Sequence, residues 1–343
     1  MDVRQLAREI KQGKVAPVYL FYGKEQYLMD EVITMIQQQV IDEASRDFNY
    51  SVYDLRETAV QAALQDAETF PFMGEKRLVR ATQALFLTGG KVKESSEHNL
   101  DSLLNYLNNP PDYTTFILEV PEEKLDERKK TVKALLKNSV VVPFMPLKDD
   151  ELVHWISRRA AKHNASVMPE AARMLITMTG GDLRRLNQEI EKMATYVGEG
   201  ETITPEVVGL LGSRQLEQDV FRLVDQVARL QLENAMRIYY DLQMNKEEPL
   251  KILTLLARQF RILLQIKILQ PKGYSPQQMA SMLGVHPYVA KLAAEQSRLF
   301  SELALKRIIQ KLAEEDYRIK TGQIDKTLAL ELIIMGMKEM VSV

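Results

Sequence analysis

A chain of 343 residues with 45% apolar and 27% charged side chains describes a folded, soluble protein too long for one ordinary helical core, so two or three domains are expected. The lack of cysteine excludes disulfides, thiolate zinc sites and cysteine nucleophiles, while the four histidines, His98, His154, His163 and His286, show neither an HExxH spacing nor a ligand cluster and read as surface or capping residues. A net charge of −2 leaves nucleic acid open as a partner, because binding needs a local basic face and not a basic total.

The first segment, Met1 to Lys14, carries charge throughout and does not resemble a signal peptide. No uncharged apolar run approaches the roughly 20 residues of a membrane span, so a cytoplasmic location is expected. Pro17 to Gly23 reads as a buried strand ending in a tight turn, followed at once by an amphipathic helix from Glu25 to Gln39. A strand, a glycine turn and a helix are also the setting of a nucleotide-binding loop. That loop needs several glycines to bring backbone N–H groups onto phosphate, then Lys and Ser/Thr for phosphate and magnesium. The turn here, Gly23-Lys24-Glu25-Gln26-Tyr27-Leu28-Met29-Asp30, has one glycine, no Gly-Lys-Ser/Thr and an acidic residue where the anion would lie. The expectation is the architecture of a nucleotide-binding domain without its phosphate site.

Further strands are predicted near Asn49 to Tyr53, at Arg77 to Thr82, at Thr114 to Glu119 and at Val140 to Pro143. Helices separate them: from Val60, at Leu100 to Leu107 and at Leu125 to Lys137. Alternating strands and helices call for a parallel sheet covered on both faces. The strand ending at Glu119 lacks a paired Asp-Glu to hold and activate water, and Glu119 alone reads as a solvated strand end. Between the second helix and the third strand lies Thr69-Phe70-Pro71-Phe72-Met73-Gly74-Glu75-Lys76-Arg77. Pro71 and Gly74 mark it as a turn, yet it carries three large apolar side chains. Such a tip is either tucked under its own domain or offered to a partner's groove, where aromatic residues make good anchors.

After Met145-Pro146-Leu147, which reads as a linker, the pattern turns helical. A helix spans Glu151 to Asn164. Pro169 opens a second helix, which Gly180-Gly181 closes. Asp182 caps a third from Leu183 to Val197, and Thr204 caps a short one ending near Gly212. Arg184 and Arg185 could reach a phosphate or a neighbouring carboxylate, against the plainer reading of a solvated basic turn. Beyond residue 212 only amphipathic helices are predicted: Asp219 to Arg229, Leu232 to Met244, Pro249 to Leu269, Pro276 to Leu283, Tyr288 to Ser297, Ser301 to Ile319 and Lys326 to Met340. The broad apolar stripe of the third places it centrally in a bundle or against another subunit. The pair around Gly284 has helix-turn-helix spacing. Its second helix offers Tyr288, Val289, Lys291 and Leu292, a poor set for reading base edges, which favours a structural pair.

Taken in order, several stretches resemble the delta subunits of bacterial DNA polymerase III clamp loaders, in the form found in Gram-positive bacteria. They are Val18-Tyr19-Leu20-Phe21-Tyr22-Gly23 with Tyr27-Leu28-Met29-Asp30-Glu31, Phe70-Pro71-Phe72-Met73 with Lys76-Arg77-Leu78-Val79, Gly180-Gly181-Asp182-Leu183-Arg184-Arg185-Leu186 with Glu189-Ile190-Glu191-Lys192, and Asp316-Tyr317-Arg318-Ile319-Lys320-Thr321-Gly322 with Leu330-Glu331-Leu332. Each is weak singly; their joint order over the whole length is specific. The resemblance implies three domains: an AAA+-like (RecA-like) parallel-sheet domain over 1–143 without a phosphate-binding loop, a small helical lid over 144–212 and an all-helical collar for oligomerisation over 213–343. It implies a subunit of the DNA-directed DNA polymerase holoenzyme with no catalytic site and no cofactor of its own. Its function would be to bind and open the sliding clamp (beta) for loading on primed DNA, together with the tau/gamma and delta prime subunits. Phe70, Pro71, Phe72 and Met73 correspond to the clamp-binding plug, with Pro71 a departure from the family's Leu-Phe wording. Lys93, Arg184 and Arg185 are candidates for contact with primer-template DNA. The rival readings are a DNA-binding helix-turn-helix regulator and a P-loop-type NTPase with a degenerate site.

Overall fold

The computed structural model describes residues 1–90, 97–212 and 216–341. The chain folds as two compact units, Met1–Leu147 and Lys148–Val343.

The first unit is built on a parallel sheet of five strands: β1 (Val18–Tyr22), β2 (Tyr50–Asp54), β3 (Arg77–Thr82), β4 (Thr114–Val120) and β5 (Val140–Pro143), in the order β2-β3-β4-β1-β5. Successive side chains of a strand point to opposite faces, and the sequence supplies apolar residues to both. Val18, Leu20, Val79, Phe116 and Leu118 pack with the helices Val60–Ala67, Leu100–Asn108 and Lys130–Asn138. Tyr19, Phe21, Leu78, Ile117 and Val142 pack on the other side with Val3–Lys11 and Gln26–Val40. Central β4 is consequently buried along its whole length, whereas the edge strand β2 is only partly covered. This is the parallel α/β sheet covered on both faces that the strand and helix pattern predicts, in the arrangement that the family resemblance implies.

Besides short unpredicted turns of helix such as Arg46–Asn49, two elements of this unit depart from expectation for a visible reason. Residues Val3–Lys11 form a helix, because Val3, Leu6 and Ile10 make an apolar stripe among the charges and the Asp2 carboxylate accepts from the Gln5 N–H at 2.8 Å. The helix expected from Leu125 starts only at Lys130, since the Asp126 N–H donates to the Leu87 carbonyl and the Lys129 N–H turns back to Asp126.

In the second unit, helices Asp149–Ala161, Pro169–Thr179, Leu183–Val197 and Pro205–Leu211 surround a short parallel pair, β6 (Ser166–Val167) and β7 (Thr202–Ile203). The pair was not legible at two residues per strand. Gly180 takes the left-handed conformation (φ 66°) that ends its helix, and Asp182 accepts from the Arg185 N–H at 2.9 Å. Seven α-helices follow among the described residues, and Pro249–Leu269 lies centrally, packed on Leu216–Ala228, Pro287–Ser297, Glu302–Lys320 and Lys326–Val341. The helix pair around Gly284 packs inward: the Tyr288 hydroxyl hydrogen-bonds Thr177 at 2.9 Å, and Val289 lies against Gly180. The face of that second helix carrying Tyr288 and Val289 is therefore occupied by the protein itself. Among the described residues no helix is long and apolar enough to cross a membrane.

Candidate protein-binding site

The loop from Thr69 to Lys76 joins the helix Val60–Ala67 to β3. Of the two readings open for its apolar tip, the structure shows the exposed one. Phe70 is 75%, Phe72 53% and Met73 82% exposed, with Pro71 half-buried between them. A short, greasy loop in water would collapse unless its backbone were held, and the surrounding residues hold it at several points.

The main grip is Asn49, fully buried at the end of the short helix Arg46–Asn49. Its side-chain oxygen accepts from the Phe72 N–H at 2.7 Å and its side-chain nitrogen donates to the Phe72 carbonyl at 2.8 Å. One amide thus completes both backbone bonds of the residue at the tip. Beneath it the buried Arg77 guanidinium pairs with Asp66 and donates to the carbonyls of Phe48 and Phe70 at 3.4 and 3.5 Å. Asp66 also accepts from Ser51. On the other flank the Tyr113 hydroxyl donates to the Glu68 carbonyl at 2.8 Å and Thr114 to the Ala67 carbonyl at 2.7 Å, satisfying the last turn of the helix before the loop. The Tyr113 ring stacks on Phe70 with centroids 4.6 Å apart, and Phe48 lies 5.2 Å from Phe72. At the far end, a Cβ on Gly74 would come within 2.9 Å of the Asn49 amide, so only glycine lets the loop turn so close to its own clamp. Met73 itself sits at a left-handed φ of 51°, a strained choice for a side chain that faces solvent.

At the opposite, C-terminal end of β1 the Gly23 turn is packed shut. The Gly23 N–H donates to the Val120 carbonyl and the Glu25 N–H to the Phe144 carbonyl, both at 3.0 Å. A Cβ at Gly23 (φ 130°) would lie 2.0 Å from the Phe144 oxygen. Amides already bonded within the protein cannot cradle an anion. Beside the turn, Glu119 is buried, not solvated as its position at a strand end suggests, because Arg80 on the neighbouring strand pairs with it and with Asp30 at 2.8 Å. Gln26 donates to the same carboxylate at 3.4 Å. Burial pushes the Glu119 carboxyl up from its ordinary value, with the Arg80 guanidinium pulling against it. Two of the histidines serve as caps: His98 Nδ1 accepts from the Val60 N–H and His286 Nδ1 from the Tyr288 N–H.

Comparison with known proteins places this geometry. The sequence model for the DNA polymerase III delta subunit matches residues 19–145, and that for the delta subunit's C-terminal domain matches residues 217–337. The DNA polymerase III subunit delta of Bacillus subtilis (strain 168) is 44% identical over 328 residues, covering 96% of this chain and 94% of that one. The chain belongs to the DNA polymerase III delta subunit family. Another member, the probable delta subunit of Aquifex aeolicus (strain VF5), is 23% identical over 273 residues, covering 78% of this chain and 75% of that one. Among solved structures, the Bacillus subtilis DNA clamp loader delta protein matches with a TM-score of 0.87 at 43% identity, over 98% of this chain and 99% of that one.

Lys93 lies outside the described residues. Arg184 and Arg185 belong to the second compact unit, exposed in the first turn of Leu183–Val197. Family resemblance pointed to Phe70–Met73, but Phe48, Asn49, Tyr113 and the Asp66–Arg77 pair were missed. The one available signal was Phe48 itself, a large aromatic next to a polar stretch.

Proposed function

We propose that this chain is the clamp-opening subunit of a DNA polymerase III clamp loader, and that Phe70, Pro71, Phe72 and Met73 are its contact with the sliding clamp. The observation that carries the reading is a tip of large apolar side chains held out in water by a buried, hydrogen-bonded scaffold, in a member of the delta subunit family. Anchors of this kind dominate binding energy when a partner's pocket desolvates them. A wedge opens a ring only if it binds the open state better than the closed one; equal affinity for both shifts nothing. The plug therefore acts by fitting one clamp subunit best when the neighbouring ring interface is parted.

In this reading the 1–143 domain presents the plug, 144–212 is a lid and 213–343 is the collar that joins the other loader subunits, tau/gamma and delta prime. The matched C-terminal family domain, residues 217–337, supports the last boundary. The chain works in the cytoplasm and has no catalytic site: the closed Gly23 turn and the Arg80–Glu119–Asp30 network leave nucleotide chemistry to its partners. Arg184 and Arg185 contribute salt-dependent phosphate contacts to primer-template DNA. The test is a pull-down of the full chain with purified sliding clamp and the other loader subunits, beside calorimetry with ATP. Capture of the clamp and no micromolar ATP binding are expected. Failure to retain the clamp, or tight nucleotide binding by the isolated chain, overturns the proposal.

A further inference from the structure

Among the described residues of the first unit, seven large apolar side chains are exposed: Met1, Phe48, Val52, Phe70, Phe72, Met73 and Leu136. Three belong to the plug, and a fourth, Phe48, touches it from another part of the chain. Phe48 is 58% exposed, and its ring is tilted 57° to that of Phe72 at a centroid separation of 5.2 Å. This placement is enforced from both sides. The Phe48 carbonyl accepts from Arg77, which also reaches the Phe70 carbonyl, and the next residue, Asn49, holds the Phe72 backbone. The backbones that carry the two rings are thus held in register by buried polar groups, while each residue keeps more than half of its surface in water. Aromatic rings in this tilted arrangement attract one another beyond the area they bury, so the pair presents one edge wider than a single side chain.

We propose that Phe48 is a fourth apolar contact to the clamp and that it enters the partner's groove beside Phe72 as one composite anchor. The inference rests on the reading of Phe70–Met73 as the clamp-binding element. It adds a requirement on the partner: the groove must accept two adjoining aromatic rings from two chain segments, not one projecting residue. Pre-ordering of the two backbone segments by Arg77 and Asn49 means that little main-chain freedom is lost on docking, which favours affinity without further contacts.

The experiment uses the full chain and purified clamp. Phe48→Ala, Phe72→Ala and the double variant are titrated against the clamp beside their thermal melts, with Phe48→Leu as a variant that keeps apolar volume. Phe48→Ala is expected to weaken binding by about tenfold with the melt nearly unchanged, Phe48→Leu by less, and the double variant by less than the product of the singles. A Phe48→Trp variant adds a direct readout, since the chain's own tryptophan, Trp155, is buried; its emission should shift to the blue and resist quenching when clamp binds. If Phe72→Ala loses about tenfold or more while Phe48→Ala stays within about twofold, the composite anchor is wrong and the plug reading stands. If both stay within about twofold, the plug reading itself fails. An unshifted tryptophan at saturating clamp, or strictly multiplicative losses, would reduce Phe48 to a prop or an independent contact and overturn the proposal.

Discussion

Replacing Met73 with alanine perturbs a side chain that the folded chain scarcely uses, since 82% of the residue is exposed. Fully burying a methionine is worth about 1.5–3 kcal/mol. Less than a fifth of that is realised in the folded chain, so Met73→Ala should lower stability by well under about 1 kcal/mol. Four-fifths remains to be gained against a partner, about 1.2–2.4 kcal/mol, which is a loss of roughly eight- to sixtyfold in clamp affinity when the side chain is cut back. The left-handed φ of 51° is no worse for alanine than for methionine, so the loop keeps its path. The assay is calorimetric or surface-plasmon titration of the variant against purified clamp, with thermal unfolding measured on the same preparation. An affinity within about twofold of the parent, at an unchanged melt, would refute the claim that this exposed surface is buried by the clamp.

Other perturbations probe the scaffold and the closed turn. Asn49→Ala removes both bonds to the Phe72 backbone and should cost about 1–2 kcal/mol in urea unfolding, together with a loss of clamp affinity as the displayed loop conformation becomes less populated. Arg80→Ala leaves the Glu119 carboxylate buried without its guanidinium and should destabilise by about 3–5 kcal/mol at neutral pH. Because the folded state then holds a proton on Glu119 more tightly than the unfolded chain does, that loss should shrink as pH falls through the raised folded value, which urea midpoints across pH would show. Gly23→Ala forces a Cβ to 2.0 Å from the Phe144 oxygen and is expected to lower stability by more than about 3 kcal/mol, seen as a large drop in the melt of the first unit.

Local chemistry made much of the fold legible. The strand Arg77–Thr82 and the helices Leu183–Val197, Leu232–Met244 and Pro249–Leu269 fall on their predicted bounds, because apolar periodicity marks each and, for Leu183–Val197 and Pro249–Leu269, capping residues with Gly198 or Pro249 punctuate the ends. Where the signal was tertiary it was missed. Glu119 looks like a solvated strand end until Arg80, 39 residues away, is brought beside it. The helix Val3–Lys11 was hidden because its charges outnumber the stripe of Val3, Leu6 and Ile10 that decides it. The candidate site divides the same way. Three large apolar residues around Pro71 and Gly74 stand out in the chain, but the residue that fixes them, Asn49, lies 23 positions earlier and carries no local mark of its role.

Asn49 grips main-chain atoms of Phe72 and none of its ring. Any residue with an ordinary amide N–H and C=O could stand at position 72 and be held alike. The shape of the tip is thereby uncoupled from the means of its support. Side chains there can drift in lineages alongside a changing receptor, or be redesigned for a different one, while the framework underneath stays intact.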